Sequence, residues 1–143
     1  MATVRMDNVA IVVEDLDAAI AFFTELGLAL DGRAEIEGAF ADECTGLEGV
    51  RSEIAMMRTP DGSGRLELTA YDRPALIRSE PAAPNTLGFH RVMFEVEDLD
   101  DTLDRLGRLG GQLMGTVANY EDVYLLCYLR GPGGFVIGLA QRV

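Results

Sequence analysis

The stretch Val9–Asp17, which reads VAIVVEDLD, returns 83 positions later as Val92–Asp100, which reads VMFEVEDLD. In each copy an apolar run meets an Asp-Leu-Asp turn and a helical pattern follows. That pattern ends at a Leu-Gly pair in both copies, Leu26-Gly27 in the first and Leu109-Gly110 in the second. An internal repeat of this kind constrains the architecture before any single residue is interpreted, and it predicts two copies of one module.

Each copy also reaches a Pro-Gly turn before its last apolar run. In the first copy Thr59–Gly62 precedes Leu66–Leu68, and in the second Gly131–Gly134 precedes Val136–Leu139. Short runs rich in β-branched residues and bounded by such turns are typical of strands. The sequence therefore predicts that each module closes on a strand and that the second module is shorter in its middle.

The repeat predicts the order β-α-β-β-β in each module. In the first, we expect a strand over 6–13, a helix over 17–26 capped by Asp15 and ended by Gly27, and strands over 28–36, 50–58 and 65–71, with a loop and one helical turn over 38–49. In the second, we expect a strand over 89–96, a helix over 100–109, and strands over 112–117, 123–130 and 135–141.

One helix covers only one face of such a sheet, so the predicted fold class is α+β, with two tandem βαβββ modules in a mixed sheet that encloses a cleft. The predicted organisation is a single domain over 1–143, with module one at 4–71, a linker at 72–87 and module two at 88–143. The linker holds Pro74, Pro81 and Pro84.

Composition narrows the range of partners. A formal charge of −12 and a pI near 4.3 would repel a phosphate backbone, so we expect no nucleic acid. The charge suits a cationic ligand or simply a solvated surface. No apolar run approaches the roughly 18 residues of a membrane span, and the first residues lack the pattern of a signal peptide. We therefore expect a cytoplasmic protein without a membrane partner.

The two Glu-Asp-Leu-Asp turns, the two Leu-Gly helix ends and the two Pro-x-Gly turns together resemble the vicinal oxygen chelate superfamily. This superfamily includes glyoxalases, extradiol dioxygenases, fosfomycin-resistance thiol transferases and bleomycin-binding proteins. The resemblance implies a glyoxalase/bleomycin-resistance-like fold. It does not select a reaction, because this fold hosts metal-dependent enzymes beside proteins that only bind.

The resemblance also implies where a metal ion would sit. The family's ligand positions on the first and last strands map to Asn8 and Glu67 in module one, and to Arg91 and Gly138 in module two. Only Glu67 is a conventional ligand, and Arg91 would place a permanent positive charge beside the ion. We therefore expect no cofactor, and a divalent metal ion held by Glu67 and a displaced His90 is the alternative.

Strand alternation assigns faces to these residues. It predicts that His90 points with Val92 toward the helix, whereas Arg91 and Met93 share the other face. If the alignment holds, Asn8, Glu67 and Arg91 converge in the cleft. The predicted ligand-binding residues are Asn8, Met56, Glu67, Tyr71, Arg91, Met93, Tyr120 and Tyr128.

These residues support several hypotheses. The leading one is a metal-free protein that binds a small organic molecule, such as an antibiotic or an aromatic metabolite. The second is a lyase, isomerase or dioxygenase, either metal-dependent through Glu67 and His90 or metal-free with Glu67 as base and Arg91 as electrostatic stabiliser. An ion pair of Glu67 with Arg91 could instead only join the modules, and the chain could serve as a subunit interaction module. We expect a homodimer, because open sheet edges need covering.

Overall fold

The computed structural model describes residues 2–143. Two compact units follow one another, the first ending at Ile77 and the second beginning at Arg78. Each unit contains one mixed sheet and one long helix, so the α+β class predicted from the repeat is confirmed. No helix within the described residues is long and apolar enough to cross a membrane.

Both units follow the predicted order of elements. The first contains β1 (Val9–Val12), α1 (Leu16–Leu26), β2 (Ala29–Glu37), α2 (Ala39–Thr45), β3 (Arg51–Arg58) and β4 (Arg65–Arg73). The second contains β5 (Val92–Glu95), α3 (Leu99–Gly107), β6 (Gln112–Leu113), β7 (Ala118–Tyr120), β8 (Tyr124–Arg130) and β9 (Val136–Arg142). The strand predicted over 112–117 forms only at its first two residues, as β6, and the unpredicted strand β7 follows just beyond that range; both pair with β8.

The two sheets have the same topology. The first has the order β1-β4-β3-β2 and the second β5-β9-β8-β6, and in each the first strand is parallel to the last. Ala10 stands opposite Glu67 in the first sheet, and Met93 stands opposite Gly138 in the second. Since Ala10 and Met93 are also equivalent in the sequence repeat, Glu67 and Gly138 occupy equivalent places in their modules.

Helix α1 begins and ends where its sequence predicts. The Asp15 carboxylate accepts a hydrogen bond from the Ala18 amide, and Gly27 ends the helix in the left-handed conformation. Phe22 and Phe23 are fully buried and meet edge to face with their ring centroids 5.4 Å apart. The buried side chains on the sheet strands that α1 contacts include Ala55, Met57 and Leu68.

Helix α3 buries the equivalent face of the second sheet. Asp98 caps it by accepting a hydrogen bond from the Asp101 amide, and Leu99 and Leu106 are fully buried. The helix ends at Gly107, two residues before the predicted end, because a glycine-rich stretch with low helical propensity follows. The buried sheet side chains of this unit include Cys127, Leu129, Ile137 and Leu139.

The first strand of each module is shorter than predicted. Strands were expected over 6–13 and 89–96, but pairing begins only at Val9 with Leu66 and at Val92 with Ile137. The residues before Val9 and Val92 therefore lie outside the regular strands, and this frees their side chains from strand alternation. At the other end of the first unit, β4 continues to Arg73, two residues into the stretch predicted as linker.

Candidate functional site

The face of the second sheet that lies away from α3 carries most of the predicted site residues of that unit. Met93, Gly138 and Tyr128 are adjacent across β5, β9 and β8. Their sequence neighbours Ile137 and Leu129 are buried on the helix side. Met93, by contrast, is 42% exposed. Alternation along these strands thus presents Met93 and Tyr128 on the uncovered face.

A cluster of side chains is built around the ring of Tyr128. The Cζ of Arg91 lies 4.3 Å from the centroid of the ring, within the range of a cation–π interaction. The imidazole of His90 meets the same ring edge to face, with centroids 5.3 Å apart. We call His90, Arg91, Met93 and Tyr128 the Tyr128 cluster.

His90 does not point toward the helix, so the prediction from strand alternation is wrong for this residue. His90 precedes the first paired residue of β5, and its ring reaches the Tyr128 face. The Nη1 of Arg91 lies 3.0 Å from His90 Nδ1. A guanidinium can only donate, so Nδ1 must accept and the imidazole proton must sit on Nε2. That Nε2 is buried without a hydrogen-bond partner among the described residues.

Gly138, the equivalent of Glu67, leaves room for two of these side chains. A β-carbon on Gly138 would stand 2.7 Å from Cε of Met93 and 3.3 Å from Cδ of Arg91. The space that a carboxylate side chain at position 138 would fill is therefore occupied by the side chains of Met93 and Arg91. This set of groups does not fit a divalent metal ion. Within residues 2–143, no group of three or more His, Cys, Asp or Glu side chains is arranged to hold one.

A concavity of about 470 Å³ adjoins the cluster through Tyr128, which is one of its lining residues. Its lining residues are Pro84, Gln112, Leu113, Met114, Gly115, Tyr128 and Arg130. Arg130 fixes this wall by donating hydrogen bonds to the carbonyl oxygens of Ala82 at 2.6 Å and Gly134 at 3.4 Å. Arg130 was not predicted from the sequence. It stands two residues after Tyr128 on β8, so strand alternation places both side chains on one face.

In the first unit, Glu67 lies on the sheet between Ala10 and Met56, its partners on β1 and β3. The Thr69 hydroxyl, on the same face, lies 3.5 Å from Glu67 Oε2 and can donate a long hydrogen bond to it. Tyr71 follows on that face by alternation along β4. Met56, Glu67 and Tyr71, all predicted from the sequence, therefore share one face of the first sheet.

Asn8 is exposed and its side chain is bound to its neighbour. Its Nδ2 donates to Asp7 Oδ2 at 2.9 Å, and Arg5 donates to the other carboxylate oxygen at 2.9 Å. Both hydrogen bonds lower the pKa of Asp7, and the bond from Asn8 has the larger effect. The amide of Asn8 is thus used in a local polar contact.

Of the predicted ligand-binding residues, the structure brings Arg91, Met93 and Tyr128 together. Tyr120 lies apart from them, because it pairs with Tyr124 in the β7–β8 hairpin and is 56% exposed. Glu67 belongs to the first unit and Arg91 to the second, and their pairing stays a prediction.

Comparison with known proteins finds one matching family model and several solved structures that are similar to this chain. A sequence model described as the Glyoxalase/Bleomycin resistance protein/Dioxygenase superfamily matches residues 5–139. A solved glyoxalase family protein from Bacillus cereus is 51% identical, with a TM-score of 0.95 over 100% of this chain and 97% of that one. No functionally curated protein matches.

Two more distant structures share the fold alone. A variant of glyoxalase I from Zea mays is 19% identical, with a TM-score of 0.70 over 97% of this chain and 46% of that one. A fosfomycin resistance protein from Listeria monocytogenes, complexed with manganese(II) and sulfate, is 9% identical, with a TM-score of 0.62 over 99% of this chain and 95% of that one.

Proposed function

Because the chain belongs to the glyoxalase/bleomycin resistance protein/dioxygenase superfamily, we propose that it binds a small organic molecule without a resident metal ion. The observation that carries this proposal is the packing of Arg91 and Met93 over Gly138. A divalent ion in a protein needs about three side-chain ligands. Of the four positions at which family enzymes hold their metal, only Glu67 offers a ligand of the usual kind.

The Tyr128 cluster and the neighbouring concavity supply what a binding site needs. Ligand sites are concave and mostly apolar, with a few polar groups that fix orientation. Met93, Met114 and Tyr128 provide apolar and aromatic surface, and Arg91 provides a charged donor. An antibiotic or an aromatic metabolite held for sequestration is the kind of ligand that this combination suits.

Metal analysis of protein purified without an affinity tag or a chelator tests this proposal. By mass spectrometry we expect zinc, nickel, manganese and iron at well below one equivalent in the purified protein. We expect the same after the protein has been incubated with each ion and the excess removed by dialysis. One equivalent of any of these metals that survives dialysis would contradict the proposal. Glu67→Gln is the matched variant, because a specific site would then lose its metal together with the carboxylate.

A metal-free enzyme is the second candidate, and the contact between Thr69 and Glu67 favours it. A carboxylate oriented by a neighbouring hydroxyl on the sheet face away from α1 is placed to act as a base. A lyase or isomerase reaction would use it in this way, with Arg91 as electrostatic stabiliser. If a ligand that binds is also converted, and Glu67→Gln abolishes conversion while leaving binding unchanged, the enzyme replaces the binding protein as the better account.

The metal-dependent enzyme with His90 as a ligand is less well supported. Nδ1 of His90 is already engaged by Arg91, and Nε2 carries the proton. A metal ion would have to displace the arginine or this proton.

We also propose that the protein forms a homodimer and acts in the cytoplasm, as expected from the sequence. The observation that supports a dimer is that both sheets end in open strands, since uncovered edges favour association. Sedimentation equilibrium at micromolar concentration measures the assembly directly. A single species with the mass of one chain, 15.5 kDa, would contradict the dimer.

A further inference from the structure

We propose that the Tyr128 cluster recognises a planar aromatic molecule through a single carboxylate, with Arg91 as the receptor of that carboxylate. This inference deepens the metal-free binding proposed above and rests on it. Three observations carry it: the lack of an acidic partner for Arg91 in its own unit, the way in which Arg91 is held, and the character of the adjoining surface.

Arg91 is left without an acidic partner in its own unit. The chain contains 24 acidic residues and 12 basic ones. Within the second unit, Arg105 forms an ion pair with Asp101 at 2.9 Å and Arg142 forms one with Glu95 at 3.3 Å. No carboxylate of the described residues 78–143 pairs with Arg91 in this way. Arg108 and Arg130 likewise form no ion pair within residues 78–143, but Arg130 donates to the carbonyl oxygens of Ala82 and Gly134 and Arg108 lies at the end of α3. Arg91 is the exposed arginine of the Tyr128 cluster, and no carboxylate of its own unit competes with an external anion for it.

Arg91 is also held in place before any ligand arrives. The Tyr128 ring lies 4.3 Å from its Cζ, and His90 Nδ1 accepts from its Nη1 at 3.0 Å. A guanidinium carries five N–H donors, so one bond to His90 leaves most of them for a ligand. Guanidinium and carboxylate groups match each other as a two-pronged pair, which a neutral acceptor cannot reproduce. Holding the fork in advance reduces the entropy that binding would otherwise cost.

The surface next to Arg91 suits a flat ring. Tyr128 belongs both to the cluster and to the lining of the concavity of about 470 Å³. A planar conjugated body beside the carboxylate can stack along this aromatic surface, because aromatic pairs prefer offset or edge-to-face contact. Pro84 and Met114, which also line this concavity, offer further apolar contact.

Charge limits the ligand to a single carboxylate. The net charge of −12 repels multiply charged anions. Near the cluster, however, Glu95 is engaged by Arg142 and is partly neutralised. The single charge of a monocarboxylate is therefore compensated by the Arg91 guanidinium. The second charge of a dianion would have no such partner and would be repelled by the acidic chain.

Isothermal titration with matched probes tests this inference. The probes are 2-naphthoate, its neutral analogue 2-naphthamide, and the non-planar cyclohexanecarboxylate, each added to the full chain. We expect 2-naphthoate to bind at least about tenfold more tightly than either of the others, because charge-assisted hydrogen bonds are stronger than neutral ones. Arg91→Gln should abolish this preference, and Arg91→Lys should retain only part of it. Arg108→Gln, an exposed arginine at the end of α3, is the control and should leave it intact.

The outcomes separate this inference from the proposed function. Equal binding of 2-naphthoate and 2-naphthamide, or a preference that survives in a folded Arg91→Gln protein, would overturn the carboxylate receptor while metal-free binding stands. Failure of 2-naphthoate to bind at millimolar concentration would overturn it as well. One equivalent of metal in the purified protein would instead refute the proposed function. Far-ultraviolet circular dichroism confirms that each variant is folded.

Discussion

Arg91 passes over Gly138, with its Cδ 3.3 Å from the point where a β-carbon on that glycine would stand. Gly138 occupies in the second module the place that Glu67 occupies in the first. The absence of a side chain at Gly138 on β9 leaves the space that Arg91 and Met93 fill, so the glycine and the packing of these two side chains are physically linked. A carboxylate restored at that position would compete with both side chains for the same volume.

Gly138→Ala is expected to disturb ligand binding far more than stability. The added β-carbon would lie 2.7 Å from Cε of Met93, which is the flexible end of its side chain, so the clash is relieved by moving Met93 and Arg91. We expect affinity for 2-naphthoate to fall about tenfold or more, and the free energy of unfolding to change by less than about 1 kcal/mol. Isothermal titration and urea unfolding measure the two quantities.

Two other glycines serve as controls for this variant. Gly107→Ala meets no atom within 4 Å and should leave binding unchanged while stabilising the end of α3 slightly. Gly111→Ala would bring a β-carbon to 2.9 Å from the backbone oxygen of Leu106, and backbone cannot move aside easily. It should therefore destabilise the unit. If Gly138→Ala behaved like Gly111→Ala, the packing described for Arg91 would be wrong.

The protonation pattern of His90 is a second prediction. Since the Arg91 guanidinium donates to Nδ1, the neutral imidazole should carry its proton on Nε2. The chain contains one histidine, so long-range proton–nitrogen correlation spectra of tag-free, ¹⁵N-labelled protein in alkaline buffer need no assignment. A dominant Nε2–H tautomer is expected, and Arg91→Gln should shift the population toward a mixture. A dominant Nδ1–H tautomer in the unmodified protein would exclude the hydrogen bond.

Much of the fold could be predicted because turns and helix caps depend on a few adjacent residues, and because the sequence repeat shows where the same elements recur. Asp15 and Gly27 bound α1 as predicted, since capping and left-handed glycine are properties of a few adjacent residues. The ends of β1 and β5 could not be predicted in this way. A strand ends where its pairing with a neighbouring strand ends, and the pairings of Val9 with Leu66 and of Val92 with Ile137 join residues far apart in the sequence.

The same distinction separates the correct and incorrect parts of the site. Alternation correctly placed Met93 on the face away from α3, because Met93 lies within a paired strand. It failed for His90, which precedes the strand and turns to the Tyr128 ring. The wall formed by Pro84 could not be predicted, since it depends on a hydrogen bond from Arg130 to the distant carbonyl of Ala82.

Acid is expected to weaken the turn before β4 through Asp61. Its carboxylate accepts from the Thr59 hydroxyl at 2.7 Å and from the amide and hydroxyl of Ser63 at 3.1 and 2.8 Å, and these bonds lower its pKa from 3.8 to about 2. A folded-state pKa below the ordinary value means that the contribution to stability is present above pH 3.8 and is lost as the pH falls toward 2.

Asp61→Asn should therefore lower the melting temperature by a few degrees at neutral pH, and the difference from the unmodified protein should shrink as the pH falls below 3.8. Thermal unfolding followed by circular dichroism across this pH range measures it. Asp104→Asn is the control, because Asp104 is exposed on α3 and should make little difference at any pH. A difference between Asp61→Asn and the unmodified protein that stayed constant down to pH 2 would contradict the role given to the carboxylate.

The core of the first unit gives the last prediction. Phe22 lies on α1, is fully buried and meets Phe23 edge to face, so Phe22→Ala removes a large apolar side chain from a packed interior. The expected loss is about 3–5 kcal/mol in the free energy of unfolding, because burial is lost and a cavity remains. Phe40→Ala is the matched control: Phe40 is 72% exposed on α2, and its removal should change that free energy by less than about 0.5 kcal/mol. Urea unfolding of both variants decides the point, since equal losses would mean that α1 does not anchor this sheet.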